Sequence, residues 1–524
     1  MDEDRFKLAV RLTKSLGEMK VGTGTMLSEE LRLGQKISLW EVVASYLTMY
    51  RFPLLFSNDN GGNTSREKLK YWLRPYRGLL ARLRDSVASK SVRSATACEK
   101  WPERGTTVLF LGFMPNYYRD VLRPVAETLS NREGMQAVVV GMDRNLPTGN
   151  LPGGEVQYQS IWDHWTPETD VLSQNMLKHL KILQKSFFSS SQLEVLNDTG
   201  EKANVFGLNR EFIWLFWREF KRLIDLMVVA EHILEKHKPA LIVSADDADQ
   251  RCRIYSLLAR EMGIPALLVQ QGLTESDYPE WRFFSQTVVA AMGSGSQRDM
   301  IAQGVPHERI TVTGHPGFDI LASPQPDLCA SVRADLGVRN GEKMILFVSQ
   351  PYYVGTFNTP EIRQEMIRAI VQACSLVKNN RLVVKPHPGD DLRDLKGLIG
   401  SATQTMMADQ TMDIVPLVKA CDVVVTFFST VALQAIYAGR PVVNVAFPGS
   451  GGLQLYEQSG ATWVARSQDE IEINIRKLIG KDGMVEFKSR ERARRNFLRE
   501  MAYLPDGQAT KRVLDLALNL IQTS

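Results

Sequence analysis

Two segments of this 524-residue chain carry side chains suited to handling an anion. The first, Leu382-Val383-Val384-Lys385-Pro386-His387-Pro388-Gly389, is an apolar run that ends in a lysine and a histidine held between two prolines. Such a run reads as a buried parallel strand, and in open α/β sheets ligands bind beyond the carboxyl ends of strands. The prolines restrict the backbone on both sides of His387 and so fix the direction of its imidazole. The second segment, Val423 to Phe428, ends in Ser429-Thr430 and runs into a helical stretch from Val431 to Gly439. Two hydroxyls where a strand becomes a helix, together with the free N–H groups of that helix, make a cradle for phosphate. Taken singly, a structural histidine and an ordinary helix cap are the competing readings. Taken together, the segments give two strand ends of one sheet that suit the same anion.

Other polar residues fall at strand ends in the same way. Asp246-Asp247-Ala248 follows the run Leu241 to Ser244, Gln270-Gln271-Gly272 follows Ala266 to Val269, and Gln350 follows Met344 to Val348. His315-Pro316-Gly317 follows Ile310 to Gly314, where turn chemistry is the alternative. Gln271, His315 and Gln350 are thereby candidates for lining a cleft.

These positions require a regular alternation of strands and helices, and the hydrophobic pattern supplies it. Residues 1 to 105 read as a helical extension interrupted by Asn58-Asp59-Asn60-Gly61-Gly62-Asn63. Buried-strand patterns then appear at 106–112, 137–141, 240–244, 266–270, 287–291 and 310–314, with helices between them. A mostly helical insertion occupies about 160–238. After a linker at 323–327, strands follow at 344–348, 381–385, 422–426 and 441–445, and helices at 490–501 and 508–521 close the chain. The organisation expected is a Rossmann-like domain over 106–320, a second over 321–500 and a terminal helix over 501–524.

Composition excludes several classes. Hydrophobic residues at 44% and charged residues at 23% suit a globular enzyme, not a disordered or fibrous chain. A net charge of +4 from 63 basic and 59 acidic residues gives no reason to invoke nucleic acid. The basic excess is local, at Arg66, Lys68, Lys70, Arg74, Arg77, Arg82 and Arg84 and again from Lys488 to Arg499; solvated helix faces and an anionic membrane surface are the two readings. The stripe Phe212-Ile213-Trp214-Leu215-Phe216-Trp217 with Phe220 and Leu223 reads as core packing, with a lipid-facing surface as the alternative. Five scattered cysteines, Cys98, Cys252, Cys329, Cys374 and Cys421, support neither a disulfide framework nor a zinc site. With no apolar leader and no long uncharged apolar window, a cytoplasmic location is expected, with peripheral contact at the inner membrane left open.

The order KPHPGDD, FFSTVALQAIYAGRPVV and PDGQATKRV resembles the GT-B glycosyltransferase superfamily, in the branch of bacterial sialyltransferases, Kdo transferases, CDP-glycerol glycerophosphotransferases and UDP-GlcNAc 2-epimerases. IVSADDADQR, LLVQQGLT and ITVTGHPGFDIL resemble first-domain segments of the same branch. The resemblance implies two Rossmann-like domains with a cleft between them, the acceptor on the first and the nucleotide donor on the second. It implies that His387, Ser429 and Thr430 hold the donor phosphate, that Lys385 adds charge nearby, and that Asp246 or Asp247 is the general base, although Ala248 stands where the pattern has glycine. Gln434 stands where many relatives carry a ribose-binding glutamate. Asp390-Asp391 notwithstanding, the resemblance implies no required metal and no cofactor beyond the donor itself.

The expected activity is glycosyl transfer from a nucleotide-activated donor, first of all a CMP-linked acidic sugar such as Kdo or a sialic-acid relative, to a glycan or lipid-linked glycan of a bacterial surface. The alternatives are glycerophosphate transfer from CDP-glycerol, use of a UDP-sugar, and a catalytically silent GT-B scaffold at a membrane.

Overall fold

The structure is a computed structural model that describes residues 3–21, 24–56, 105–142, 156–189, 205–273, 279–352, 359–400, 404–427, 429–450 and 454–523. The basic cluster from Arg66 to Arg84, Cys98 and Phe428 lie outside the described residues. The chain divides into two compact units. One comprises Asp2–Ala290, Arg298–Thr311 and Lys511–Ser524, the other Ala291–Gln297 and Val312–Thr510.

Each unit is built on one sheet. In the first, β1 (Thr106–Leu111), β2 (Met135–Gly141), β3 (Gln157–Ser160), β4 (Leu241–Ser244), β5 (Ala266–Val269), β6 (Val288–Ala291) and β7 (Ile310–Val312) lie in the order β3-β2-β1-β4-β5-β6-β7. In the second, β8 (Lys343–Val348), β9 (Asn380–Lys385), β10 (Thr405–Met407), β11 (Val423–Thr426), β12 (Val442–Val445) and β13 (Trp463–Ala465) lie in the order β10-β9-β8-β11-β12-β13. Neighbouring strands run parallel, as in the pairs β1 with β4 and β8 with β11. Runs such as Leu-Ile-Val-Ser in β4 and Val-Val-Val-Thr in β11 are buried throughout, as strands covered by helices on both faces must be. In both sheets the order reverses at one point, between β1 and β4 and between β8 and β11. The carboxyl ends beside such a reversal are where open α/β sheets bind ligands.

The ten strands expected from apolar runs are all present. The three that the pattern did not show are short or polar: Gln-Tyr-Gln-Ser at the edge of one sheet, and the three-residue β10 and β13 at the edges of the other.

The described N-terminal helices share the core of the first sheet. Leu16, Leu27, Ile37 and Leu39 pack in one cluster with Leu109, Val138 and Ile242 from the strands and Phe212, Phe216 and Phe220 from the insertion. Ser38 and Glu41 form a reciprocal capping box at the start of the helix Leu39–Tyr46. The other face of this sheet is covered in part by the C-terminal helix Ala509–Thr523, through Val513, Leu514 and Ala517. In the aromatic stripe the residues at helical spacing, Phe212, Phe216, Phe220 and Leu223, are fully buried, while Ile213 and Trp217 are exposed. Three helical stretches widen into π turns: Leu47–Arg51, Tyr118–Leu122 and Leu215–Glu219. The basic stretch from Lys488 to Arg499 falls on the helices Gly483–Ser489 and Glu491–Met501, anchored by Phe497 and Leu498. Among the described residues no helix is long and apolar enough to cross a membrane.

Candidate functional site

In the β8–β13 unit the loops after β8, β9 and β11 emerge side by side, because those strands are neighbours in the sheet. The loop after β9 is a tight turn. Asp390 accepts the backbone N–H of His387 at 2.8 Å, and the amide of Gln410 donates to the His387 carbonyl at 2.7 Å. Gly389 donates its N–H to His387 Nδ1 at 3.0 Å. A ring nitrogen that accepts carries no proton, so this bond places the imidazole proton on Nε2 and makes that atom a hydrogen-bond donor. Burial, with Lys385 nearby, holds the His387 pKa below its ordinary value, so the neutral ring persists at pH 7. Nε2 makes no hydrogen bond to any described residue.

One residue the sequence did not single out holds this turn. Arg363, buried on the helix Pro360–Leu376, donates to the Gln350 carbonyl at 2.7 Å and to Asp390 at 2.9 Å, and reaches Asp394 at 3.3 Å. It thereby joins the end of β8 to the turn that aims His387. Gln350 takes part through its backbone. Asp390 is this arginine's partner, and Asp391 caps the helix Leu392–Ile399 by accepting from Arg393 and Asp394.

Lys385 is held within the loops of this unit. Its side chain is buried, and its ammonium donates to the carbonyls of Pro386 at 3.0 Å and Gln410 at 2.8 Å. The lysine therefore ties the loop after β9 to the loop after β10. Burial lowers its pKa.

Phe427 and Ser429 lead from β11 to the helix Val431–Tyr437. Ser429 Oγ accepts the Val431 N–H at 3.2 Å, which leaves its own O–H to donate, and its carbonyl accepts from buried Tyr456 at 3.0 Å. Thr430 is exposed and makes no side-chain cap. One hydroxyl thus caps the helix while the other stays open to a ligand. Gln434, one turn on, has a buried Oε1 without a hydrogen-bond partner among the described residues, an acceptor still able to take a ligand O–H or N–H. His315 is buried and stacks on Phe318, with ring centres 4.3 Å apart; Phe318 meets Tyr437 at 5.3 Å. Its role in the same unit is to pack behind the helix that carries Gln434.

In the β1–β7 unit three aspartates follow β4, and their hydrogen bonds separate their roles. Asp249 caps the helix Gln250–Met262, which ends at Gly263 in the left-handed conformation (φ 69°). Asp247 is buried and accepts from Ser285 N at 2.9 Å, Ser285 Oγ at 2.6 Å and Gln286 Nε2 at 3.2 Å, and it pairs with buried Arg253 at 3.7 Å. It fastens the loop after β4 to the connection before β6. Asp246 uses only Oδ1, accepting the N–H groups of Ala248 and Asp249 at 2.8 and 3.0 Å. Its Oδ2 remains open. Burial, and the negative charges of Asp249 and Asp247, push its pKa up to about 6. A carboxylate ionised at neutral pH yet made more basic than usual is a competent proton acceptor.

Glu280 escaped sequence reasoning. It lies in the 3-10 turn Pro279–Phe283, and burial beside Asp246 and Asp247 pushes its pKa up to about 8. Tyr117 joins the same electrostatic cluster, its pKa raised to about 12 by burial and by the charges of Asp246, Glu280 and Asp249. At pH 7 the cluster therefore holds an ionised Asp246 beside a protonated Glu280, the separation of acid and base that catalytic carboxylates show. Gln271 is part-buried after β5, and its neighbour Gln270 closes the loop by donating to the Gly272 carbonyl at 2.8 Å.

The chain is similar to known proteins in part of its sequence and in its fold. Residues 299–519 match the family model described as CDP-Glycerol:Poly(glycerophosphate) glycerophosphotransferase. No curated protein matches the chain. Among solved structures, a UDP-N-acetylglucosamine 2-epimerase is similar at 12% identity and a TM-score of 0.50, covering 81% of this chain and 98% of its own. The UDP-GlcNAc 2-epimerase of Methanocaldococcus jannaschii is similar at 12% identity and a TM-score of 0.50, covering 79% of this chain and 99% of its own. A protein from Listeria monocytogenes described as a UDP-N-acetylglucosamine 2-epimerase gives 12%, 0.50, 80% and 98% in the same terms. At such identities the likeness concerns the fold. Sheet order and these likenesses show a GT-B fold of two Rossmann-like units, and residues 299–519, less than half of the chain, resemble the CDP-glycerol glycerophosphotransferases.

Proposed function

We propose that the chain transfers a glycerol-phosphate-type group from a cytidine-diphosphate-linked donor to a hydroxyl of a surface-polymer acceptor, with CMP as leaving group. The observation that carries this reading is the family match over 299–519, which spans His387, Ser429, Thr430 and Gln434. It favours the glycerophosphate donor over the CMP-linked acidic sugar that the motifs first suggested. Both donors release CMP, so the phosphate contacts are shared. What changes is the electrophile, from an anomeric carbon to phosphorus.

In the proposed step the acceptor oxygen forms a bond to the β-phosphorus of the donor, and its proton passes to Asp246 Oδ2. The bond between the β-phosphorus and the bridging oxygen breaks, and the electron pair leaves with CMP. His387 Nε2–H and the hydroxyls of Ser429 and Thr430 donate to the phosphate oxygens on which charge grows. Donors already fixed by a protein scaffold stabilise such charge more than water does, because they need no reorganisation. Gln434 Oε1 accepts from a ribose hydroxyl.

A panel of CDP-glycerol, CMP-sialic acid, CMP-Kdo and UDP-GlcNAc, read by chromatography of released nucleotide, tests the reading. CMP from CDP-glycerol is expected. Release from a CMP-sugar or from UDP-GlcNAc, with CDP-glycerol inert, would overturn it.

A further inference from the structure

In the first unit, next to the carboxylate cluster, lies a cavity of about 330 Å³ with Arg51, Trp214, Arg218, Arg222, Asp249 and Arg251 on its walls. Three of its guanidiniums are matched. Arg51 forms a buried two-pronged pair with Glu211 at 2.7 and 2.8 Å and lies 4.7 Å from the centre of the Trp214 ring. Arg222 bonds Glu219 at 2.5 Å and Gln250 at 2.7 Å, and Arg251 bonds Asp249 at 2.5 Å. Arg218 is the exception: it is half-buried and has no ion pair or hydrogen bond among the described residues.

A guanidinium that is partly withdrawn from water and lacks a carboxylate is suited to bind an anion from outside, and its planar fork matches a phosphate. The backbone gives an independent pointer. Arg51 and Arg218 both sit on π turns, Leu47–Arg51 and Leu215–Glu219, in helices that are otherwise regular. Such widened turns re-aim side chains and occur frequently at functional sites. Two of the three π turns in the described chain therefore converge on one pocket. The pocket is also joined to the proposed base, since Asp249 lines it and donates its N–H to Asp246.

We propose that this pocket is an acceptor subsite that binds a phosphate group lying next to the reacting hydroxyl. The inference rests on the transferase reading above, whose family description already names a poly(glycerophosphate), and assigns the acceptor's phosphate a place at Arg218. A neutral glycan would leave Arg218 without a counter-charge among the described residues. An acceptor ending in a glycerol phosphate unit would supply one and would seat its free hydroxyl toward Asp246.

The test uses the full chain, with sn-glycerol 3-phosphate and inorganic phosphate as probes, glycerol as the neutral control and CMP as the probe of the second unit. Calorimetry should show both phosphates binding and glycerol not binding. Arg218→Gln should weaken glycerol 3-phosphate at least tenfold while leaving CMP within twofold, and Arg218→Lys should retain part of the affinity. Unchanged phosphate binding in Arg218→Gln, or equal binding of glycerol, would overturn the proposal. Phosphate binding that depends on Arg218, with CMP unbound, would uphold the pocket and remove the donor reading.

Discussion

Glu280 offers the sharpest test of the electrostatics in the first unit. Its pKa rises from an ordinary 4.5 to about 8 in the folded chain, because burial and the nearby Asp246 and Asp247 oppose its ionisation. The sign follows from proton binding. Between pH 4.5 and about 8 the folded chain holds a proton that the unfolded chain releases, so folding is weakened as pH rises through that window. At about 1.36 kcal/mol for each pH unit the loss has an upper limit near 5 kcal/mol, and water reaching the part-exposed carboxyl reduces it to about 2 kcal/mol. Glu280→Gln keeps the shape and removes the titration. The variant should match the wild type at pH 5 and exceed it by about 2 kcal/mol at pH 8. Urea unfolding of both proteins at half-unit pH steps measures the difference. A difference that stays constant from pH 5 to pH 8 would refute the reasoning, because it would mean that Glu280 titrates alike in the folded and unfolded chains.

Three further outcomes follow from the site. His387→Ala should lower kcat by about 10²- to 10³-fold, the usual effect of removing one preorganised donor, with little change in thermal stability; steady-state rates with CDP-glycerol measure it, and an unchanged kcat would defeat the phosphate role. Arg363→Lys keeps a charge but cannot bridge the Gln350 carbonyl, Asp390 and Asp394 together, so CMP should bind about tenfold more weakly by calorimetry; wild-type affinity would show that the turn aims His387 without it. Transfer activity should rise with pH through about 6 as Asp246 loses its proton, and a rate flat from pH 5 to pH 7.5 would exclude Asp246 as the base.

Strand existence, and which polar residues stand at strand ends, were legible because both depend on local signals. A parallel strand covered on both faces is a continuous apolar run, and its carboxyl end follows from chain direction. Edge strands are not covered in this way, which explains why Gln157–Ser160 left no pattern. The roles of Lys385 and Glu280 were hidden for a different reason. Lys385 stands two residues before His387 in sequence, but one of its two partner carbonyls belongs to Gln410, 25 residues later. Glu280 acquires its character only when its turn folds against the loop after β4. Charge type can be read along a chain, whereas desolvation and distant partners cannot.

The aspartates of Asp246-Asp247-Ala248-Asp249 make the same point in a form that can be tested. Sequence left Asp246 and Asp247 interchangeable. In the fold, Asp247 accepts from Ser285 and Gln286 and faces Arg253, so an amide there would set donor against donor and strip a buried guanidinium of its counter-charge. Removing one partner of a buried pair costs about 3 to 5 kcal/mol. Asp246 receives both of its hydrogen bonds on Oδ1, which an asparagine carbonyl reproduces, and loses only the basic Oδ2. Asp246→Asn should therefore unfold at or above the wild-type midpoint, because it removes a carboxylate whose ionisation burial opposes, and lose about 10²- to 10⁴-fold in kcat, while Asp247→Asn should lose stability first. If Asp247→Asn folded normally but failed to turn over, and Asp246→Asn retained its rate, the assignment would be reversed: the base would be the aspartate that the fold surrounds with donors, and Asp246 would serve only its turn.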